Sequence, residues 1–281
     1  MGNHRDTKEI ARRIRYDIIM SVYNAASGHC GGSLSIADVL AVLYGEVLHH
    51  DPRNPNWTKR DRLILSKGHA APALYAALAE TGYFDRDILW TLRKFGSALQ
   101  GHPCKIKGPP GLEMSTGSLG QGLSIAVGLA IGARILGERW RTYCILGDGE
   151  LDEGSVWEAA MSAGHHKLDN LCAIVDNNGL QIDGECMDVM DLGSLDDKFR
   201  AFGWHVLRTD GHDLEAIVGA FADVENITSQ PTAVLLSTMK GKGVSFMENR
   251  VEWHSKPLCE DDARKAVSEL GFSWGELGGV S

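Results

Sequence analysis

One strand–helix–strand pattern constrains the fold more than any other feature of this chain. Apolar runs at 143–146 and 171–175 predict strands on either side of a helix over residues 154–166. The first strand leads into Gly147-Asp148-Gly149-Glu150, and the second leads into Asn177-Asn178-Gly179. This order predicts two parallel strands whose carboxyl ends meet at one edge of a sheet.

Oxygen-bearing side chains follow both of these strands. A carboxylate from Asp148, an amide oxygen from Asn178 and a nearby backbone carbonyl are ligands that suit Mg²⁺, which also keeps phosphate oxygens in its shell. Ligands bind at this edge of open α/β sheets, and the glycines let the backbone approach a diphosphate closely. The unit therefore predicts a metal-bound diphosphate, the alternative being two ordinary loop turns without a ligand.

The rest of the chain extends the pattern. Further strands are predicted at 62–65, 204–208 and 232–238. Helices are predicted at 7–26, 35–48 (with Ser35 as N-cap), 70–81, 85–95, 119–136, 213–226 and 261–270. We therefore predict one α/β domain over residues 1–281, a parallel sheet with helices on both faces. The small apolar helix at 119–136 is expected to be buried on most faces, and the glycine-rich chain end is expected to fray.

Composition narrows the functional classes. Hydrophobic residues make up 43% of the 281 residues, and the net charge of −9 is opposite to the basic footprint of a nucleic-acid-binding protein. No apolar run approaches the roughly 20 residues of a membrane span, and the first residues contain no apolar signal-peptide core. None of the six cysteines forms a CxxC pair, so we expect free thiols in a reducing cytoplasm.

Five further segments, taken with the GDG…NN pair, resemble transketolases, which are thiamine-diphosphate enzymes. They are SGH at 27–29, SKGH at 66–69, GHP at 101–103, STGSLGQG at 115–122 and, more loosely, WHSKP at 253–257. The ordered set covers most of the chain. It implies the thiamine-diphosphate-binding fold, with this chain holding the diphosphate end of the cofactor.

The resemblance implies roles for the residues after the two strands. The metal, Mg²⁺ or in its place Ca²⁺ or Mn²⁺, would be held by Asp148, Asn178 and the backbone carbonyl of Leu180. Gly149 would offer a backbone N–H to the diphosphate. Glu150 and Asn178 would also lie against the cofactor.

The resemblance also implies catalytic roles for four histidines. His69 and His254 are expected at the diphosphate edge and reacting centre, where they also bind the cofactor. His29 and His102 are expected on the hydroxyl and carbonyl groups of the donor sugar. An imidazole suits these positions because it can hydrogen-bond an alkoxide and relay protons near pH 7. A lone loop histidine is usually exposed and inert, so this expectation depends on the motifs.

Two more sets of residues follow from the resemblance. Gly117, Leu119 and Gly120 match a segment that contacts the aminopyrimidine half of the cofactor, where small residues allow close packing. Glu153 and Glu158 match glutamates at a subunit interface that connects two active sites. The alternative for these glutamates is a solvated helix face.

Two cysteines depart from the family pattern. Cys30 stands where many relatives have proline, and Cys104 follows His102-Pro103 where an acidic residue is expected. One hypothesis places both thiols in the substrate channel. A metal site built on the pair is an alternative, with no evident third soft ligand.

The resemblance also implies a partner subunit. The pyrimidine-binding and C-terminal domains of a transketolase have no counterpart after residue 260, and the first of these brings the glutamate that activates the cofactor. We therefore expect the N-terminal subunit of a split transketolase that forms an α2β2 assembly with a C-terminal subunit. It would transfer a two-carbon ketol unit from a ketose to an aldose. The alternatives are a non-catalytic remnant and a subunit of another thiamine-diphosphate enzyme, either deoxyxylulose-phosphate synthase-like or 2-oxoacid decarboxylating, and the sugar stays open.

Overall fold

The computed structural model describes residues 6–280, which contain a five-stranded sheet. Its strands are β1 (Arg62–Leu65), β2 (Thr142–Gly147), β3 (Leu171–Asn177), β4 (His205–Asp210) and β5 (Thr232–Ser237). The strand order is β1-β2-β3-β5-β4, and every neighbouring pair is parallel. The predicted parallel sheet is confirmed, and its carboxyl edge gathers the ends of β1, β2, β3 and β5.

Helices cover both faces of the sheet, as predicted. Within the described residues the α-helices are α1 (Thr7–Ala25), α2 (Cys30–Leu34), α3 (Ala37–Val42), α4 (Ala71–Glu80), α5 (Gln121–Ile135), α6 (Gly154–His165), α7 (Cys186–Val189), α8 (Leu195–Ala201), α9 (Leu214–Asn226) and α10 (Glu260–Glu269). None of the helices in residues 6–280 combines the length and apolar character that a membrane crossing demands.

Alternating side chains of the strands fill two separate cores. Tyr143 and Ile145 of β2 pack into the core that contains α1, α3, α4, α9 and α10. Cys144 and Leu146, the intervening residues, pack into the core under α5, α6 and α8. Successive strand residues point to opposite faces, so a strand buried on both faces must be apolar throughout. This explains the uninterrupted apolar runs that predicted the sheet.

Two predicted helices differ from the structure. The helix expected at 35–48 begins two residues later, as α3 (Ala37–Val42), and continues directly as a π-helical turn over Leu43–Val47. The hydroxyl of Ser35 donates to the buried carboxylate of Asp176 at 2.7 Å instead of capping a helix, because a charged acceptor makes the stronger hydrogen bond. The helix expected at 85–95 is only a 3₁₀ segment, Arg86–Thr91.

In this chain alone the expected burial of α5 is met on one side only, and hydrogen bonds hold the chain end that was expected to fray. One side of α5 packs on the sheet through residues such as Ala126 and Ala130, but Gly128 and Ile135 on the helix are exposed. The chain end is held by side chains from α1. Tyr16 donates to the carbonyl of Gly278, and Asn24 donates to that of Gly279, both at 2.8 Å.

Candidate functional site

Strand ends and loops converge on a cavity of about 250 Å³ at the carboxyl edge of the sheet. Most of the predicted site residues line it: His29, His69, His102, Gly117, Leu119, Asp148, Gly149, Glu150, Asn178, Leu180 and His254. A larger cavity, of about 1200 Å³, lies near α1 and α9 and is lined by none of the predicted residues. The smaller cavity is therefore the candidate site, because most of the predicted residues line it.

The four predicted histidines form one cluster. The ring centroid of His29 lies 5.3 Å from those of His69 and His254 and 6.4 Å from that of His102. The rings of His69 and His254 are 5.2 Å apart. These side chains come from four segments spread over most of the sequence, so the fold brings together what the motifs only indicated.

The clustered imidazoles are neutral near pH 7. Burial, with a contribution from Arg93, lowers the pKa of His29 to about 4, and burial with Lys240 lowers that of His254 to about 3. The same effect of burial lowers the pKa of His69 and of His102. The Nδ1 atoms of His29 and His254 are buried without a hydrogen-bond partner. Such orphaned atoms fit a polar ligand in the cavity.

The predicted metal ligands follow neighbouring strands. The carboxylate of Asp148, after β2, accepts hydrogen bonds from two backbone N–H groups. The side-chain oxygen of Asn178, after β3, accepts from the N–H of Leu180 at 3.1 Å. Burial, followed by the charge of Asp176, raises the pKa of Asp148 to about 6. A cation beside this carboxylate would favour its charged form.

The predicted ligand set is not a cluster of carboxylates, thiols and imidazoles. No group of three or more His, Cys, Asp or Glu side chains in residues 6–280 could hold a metal. Asp148, Asn178 and Leu180 instead offer one carboxylate, one amide oxygen and one carbonyl, which is an oxygen set for a hard cation. The Leu180 carbonyl also accepts from Lys240 Nζ at 3.2 Å, and its two lone pairs allow a second partner.

Two lysines belong to the site although the sequence assigned them no role. Lys67 is 2% exposed, and its Nζ donates to the carbonyl of Gly32 at 2.8 Å and pairs with Asp176. Lys240 follows β5, and burial together with the charge of Lys67 lowers its pKa to about 8. Both ammonium groups line the same cavity as the carboxylates of Asp148 and Glu150. The position of Lys240 after a strand, at the ligand-binding edge, was the signal available in the sequence.

Glu150 is bound entirely by neighbouring protein groups. One carboxylate oxygen accepts from the hydroxyl of Ser66 and from the N–H of Gly120 at 2.8 Å. The other accepts from the N–H of Gly147 at 3.0 Å. The direct contact with the cofactor stays a prediction, and these bonds favour a role in holding the walls of the cavity.

Two of the motif glycines are packed closely by this chain's own side chains, and their close approach to the cofactor stays a prediction. Gly120 has a φ of +80°, and a Cβ there would lie 2.5 Å from Ser155 Oγ. A Cβ at Gly149 would lie 2.8 Å from Cβ of Gln181. Gly120 therefore requires glycine, and a side chain at Gly149 would displace Gln181.

The remaining sequence predictions have mixed outcomes. Glu153 and Glu158 are both exposed, and their interface role stays a prediction. The hypothesis that Cys30 faces the channel was wrong, because its side chain is fully buried in the core below α2. Cys104 is half-buried, so the two thiols do not share an environment. All six cysteines are free.

Residues 6–276 match the model of a protein family described as transketolase, thiamine diphosphate binding domain. The chain belongs to this transketolase family. The predicted resemblance, the thiamine-diphosphate-binding fold and the binding of thiamine diphosphate by this domain are thereby confirmed.

Relatives of similar length are transketolase subunits. A 6-deoxy-6-sulfo-D-fructose transketolase subunit, SqwG, from Clostridium sp. (strain MSTE9) is 47% identical over 265 residues, which is 94% of this chain and 96% of the relative. An apulose-4-phosphate transketolase subunit from Phocaeicola vulgatus is 43% identical, covering 91% of this chain and 90% of the relative. The prediction of an N-terminal transketolase subunit is therefore confirmed.

Single-chain transketolases match in one part of their length. The transketolase of Homo sapiens is 41% identical over 94% of this chain and 42% of its own length. The structure of the transketolase from Leishmania mexicana superposes with a TM-score of 0.92 at 32% identity, covering 96% of this chain and 42% of that one. This chain thus spans about two fifths of the single-chain enzymes it matches.

Proposed function

We propose that this subunit holds the diphosphate end of thiamine diphosphate through Mg²⁺ bound by Asp148, Asn178 and the carbonyl of Leu180. Together with a subunit that carries the pyrimidine-binding domain, it would move a two-carbon ketol unit from a ketose to an aldose. One observation carries the proposal: the oxygen ligands, two buried lysines and four histidines line a single cavity. Ca²⁺ or Mn²⁺ would suit the same oxygen ligands.

The polar end of the cavity is built for a diphosphate. Lys67 and Lys240 offer positive charge, and the backbone at Gly149 leaves room for a close approach. A diphosphate and its cation together would bring both signs of charge into a partly dehydrated site. This balance is needed because an isolated buried charge is costly.

The histidine cluster provides the groups that handle protons. Bound thiamine diphosphate supplies the nucleophile and electron sink of the reaction. His69 and His254 would act beside the cofactor, and His29 and His102 would hydrogen-bond the hydroxyl and carbonyl of the sugar. A neutral imidazole can accept a proton at one nitrogen while donating from the other. Their lowered pKa values keep them in this form until an anionic ligand enters.

We also propose an α2β2 assembly with the partner subunit. Apolar side chains on α5 and α6 are exposed, Ile135 by 79% and Met161 by 56%. Others lie after β3, near the cavity: Ile182, Met187 and Met190. Exposed apolar side chains in such groups fit subunit contacts. Glu153 and Glu158 on the same side of the sheet would lie at such an interface.

The substrates would be ketoses and aldoses that carry an anionic group. The relatives named above are a transketolase subunit for a sulfonated fructose and one for a phosphorylated branched sugar. Both names describe anionic ketoses. We further propose a cytoplasmic location, which is consistent with six unpaired thiols.

Asp148→Ala tests the metal site. In the complex with the partner subunit, Mg²⁺-dependent affinity for thiamine diphosphate should fall more than about 100-fold. Loss of an outer-shell partner of a ligand lowers metal affinity about 10–100-fold, and loss of a ligand itself should lower it more. Affinity is measured by calorimetry with and without Mg²⁺. Asp197→Ala removes an exposed carboxylate on α8 and is the matched control. Unchanged affinity in the Asp148 variant would show that Asp148 is not a metal ligand.

Ketol transfer tests whether the enzyme is split over two chains. Transfer from a ketose phosphate to an aldose phosphate is measured for this chain alone and after addition of the partner, and the mass of each species is measured by light scattering. Activity should require both chains. Full activity from this chain alone would contradict the proposal.

A further inference from the structure

A buried carboxylate, Asp176, connects the predicted metal site to the rest of the sheet edge. Asp176 lies near the end of β3 and is fully buried. It accepts hydrogen bonds from four side chains on four different segments: Ser35, Lys67, Asn178 and Thr238. Its backbone carbonyl also accepts from the N–H of Asp148 at 3.1 Å. Asp176 therefore contacts the side chain of Asn178 and the backbone of Asp148, the two residues whose side chains are predicted to hold the metal.

The contact with Asn178 has a chemical consequence. The Nδ2 atom of Asn178 lies 2.9 Å from Oδ2 of Asp176. An ionised carboxylate can only accept hydrogen bonds, whereas the amide has a donating nitrogen and an accepting oxygen. Asn178 must therefore turn its NH₂ group toward Asp176. Its Oδ1 atom is left on the other side, where it meets the N–H of Leu180.

We propose that Asp176 is a positioning residue that fixes the amide of Asn178 with its oxygen toward the cation. The inference rests on the proposed metal site. Asp176 would determine which atom of the Asn178 amide is available to the cation. Asp176 itself does not line the cavity. Outer-shell partners of this kind orient ligands and are worth about 10–100-fold in metal affinity.

Asp176 also has a possible purely structural role, and the two must be separated. Lys67 pairs with the same Oδ2 atom and is buried. Asp176 could serve only to neutralise this lysine, since a buried pair that loses one partner is destabilised by charge left uncompensated. In that case the identity of the atom facing Asn178 would not matter for the metal.

A charge exchange between positions 176 and 178 separates these roles. Asn178→Asp places two carboxylates against each other, so the positioning role predicts weaker metal binding although a carboxylate has been added. The double variant Asp176→Asn, Asn178→Asp restores one donor facing one acceptor, and metal affinity should recover at least tenfold relative to Asn178→Asp. If Asp176 only neutralises Lys67, the single Asn178→Asp variant should bind metal more tightly, and the double variant should gain nothing over it.

The assay uses the full chain with Mn²⁺ as the probe and inorganic pyrophosphate as the anion, and bound Mn²⁺ is followed by electron paramagnetic resonance. Asp176→Asn should weaken Mn²⁺ binding about 10–100-fold. Thr238→Val is the control, because it removes a donor to the opposite oxygen of Asp176 and leaves Asn178 in place. Thermal unfolding without metal reports any folding defect separately.

The outcomes distinguish the inference from the proposal on which it depends. If Asp148→Ala does not change Mn²⁺ binding, the proposed metal site itself fails. If Asp148→Ala abolishes binding but Asp176→Asn binds as wild type, or Thr238→Val weakens binding as much as Asp176→Asn, the positioning role is overturned. Recovery of Mn²⁺ affinity in the double variant supports the positioning role, because Lys67 lacks its carboxylate partner at position 176 in that variant as well.

Discussion

Replacing Glu150 by glutamine tests whether this carboxylate holds the walls of the cavity. Its oxygens accept from Ser66 and Gly120 on one side and from Gly147 on the other. Glutamine keeps the shape of the side chain but turns one acceptor oxygen into an NH₂ group, which cannot accept. In either orientation of the amide, one buried backbone N–H loses its partner.

The cost follows from that lost partner. A buried donor left without an acceptor costs about 1–3 kcal/mol in the free energy of unfolding. For a chain of this size a change of 1 kcal/mol shifts the unfolding temperature by about 2–4 °C, so a decrease of about 2–12 °C is expected. The decrease should appear without any cofactor, because all three contacts lie within this chain.

Thermal unfolding of the full chain, followed by circular dichroism without cofactor, measures the effect. Glu225→Gln makes the same chemical change at an exposed position on α9 and should leave the transition within about 1 °C, as surface substitutions usually do. A Glu150→Gln variant as stable as the wild type refutes the bracing role. If this variant then binds thiamine diphosphate more weakly, direct contact with the cofactor is the better account.

Three further predictions concern the histidines and cysteines. The pKa of His254 is about 3 in the folded chain and 6.5 as its ordinary value. The unfolded chain therefore binds more protons between these values, so stability is complete above about pH 6.5 and falls as the pH decreases. Urea unfolding at pH 7.5 and pH 5 should show this loss, and His254→Gln should reduce it; an equal loss in the variant contradicts the pKa. Cys30 should resist iodoacetamide in the folded chain while exposed Cys259 reacts, because burial raises the pKa of Cys30 to about 12; mass spectrometry of the labelled chain decides. In the complex, His102→Ala should lower ketol transfer about 100-fold or more with cofactor affinity nearly intact, whereas His69→Ala should also weaken cofactor binding; identical behaviour in both assays would show that the division of roles is wrong.

Local sequence order was enough to predict the sheet and one side of the site. The segments around Asp148 and Asn178 follow consecutive strands, and consecutive parallel strands joined by a helix are usually neighbours. Their side chains therefore had to meet at one edge. One motif glycine also marked a special backbone conformation, because Gly120 has a φ of +80°, which residues with a side chain rarely adopt.

Local patterns failed where a distant residue competed for the same group. Serine is a favoured residue at helix N-caps, but the hydroxyl of Ser35 donates a hydrogen bond to Asp176, far along the chain. The chain end is rich in glycine, which predicted fraying, but Tyr16 and Asn24 donate hydrogen bonds to its backbone carbonyls. At Ser35 the tertiary hydrogen bond outweighed a capping preference worth about 1 kcal/mol.

By itself, the sequence determined which chemical groups stand at the strand ends and that they would face one ligand-binding edge. Only the tertiary structure decided how those groups are charged and oriented. The pairing of Lys67 with Asp176, the direction of the Asn178 amide and the neutral state of the histidines all depend on burial and on neighbours from other segments. Desolvation and hydrogen bonding depend on which groups are neighbours in space. The order of residues along the chain therefore does not predict these charges and orientations.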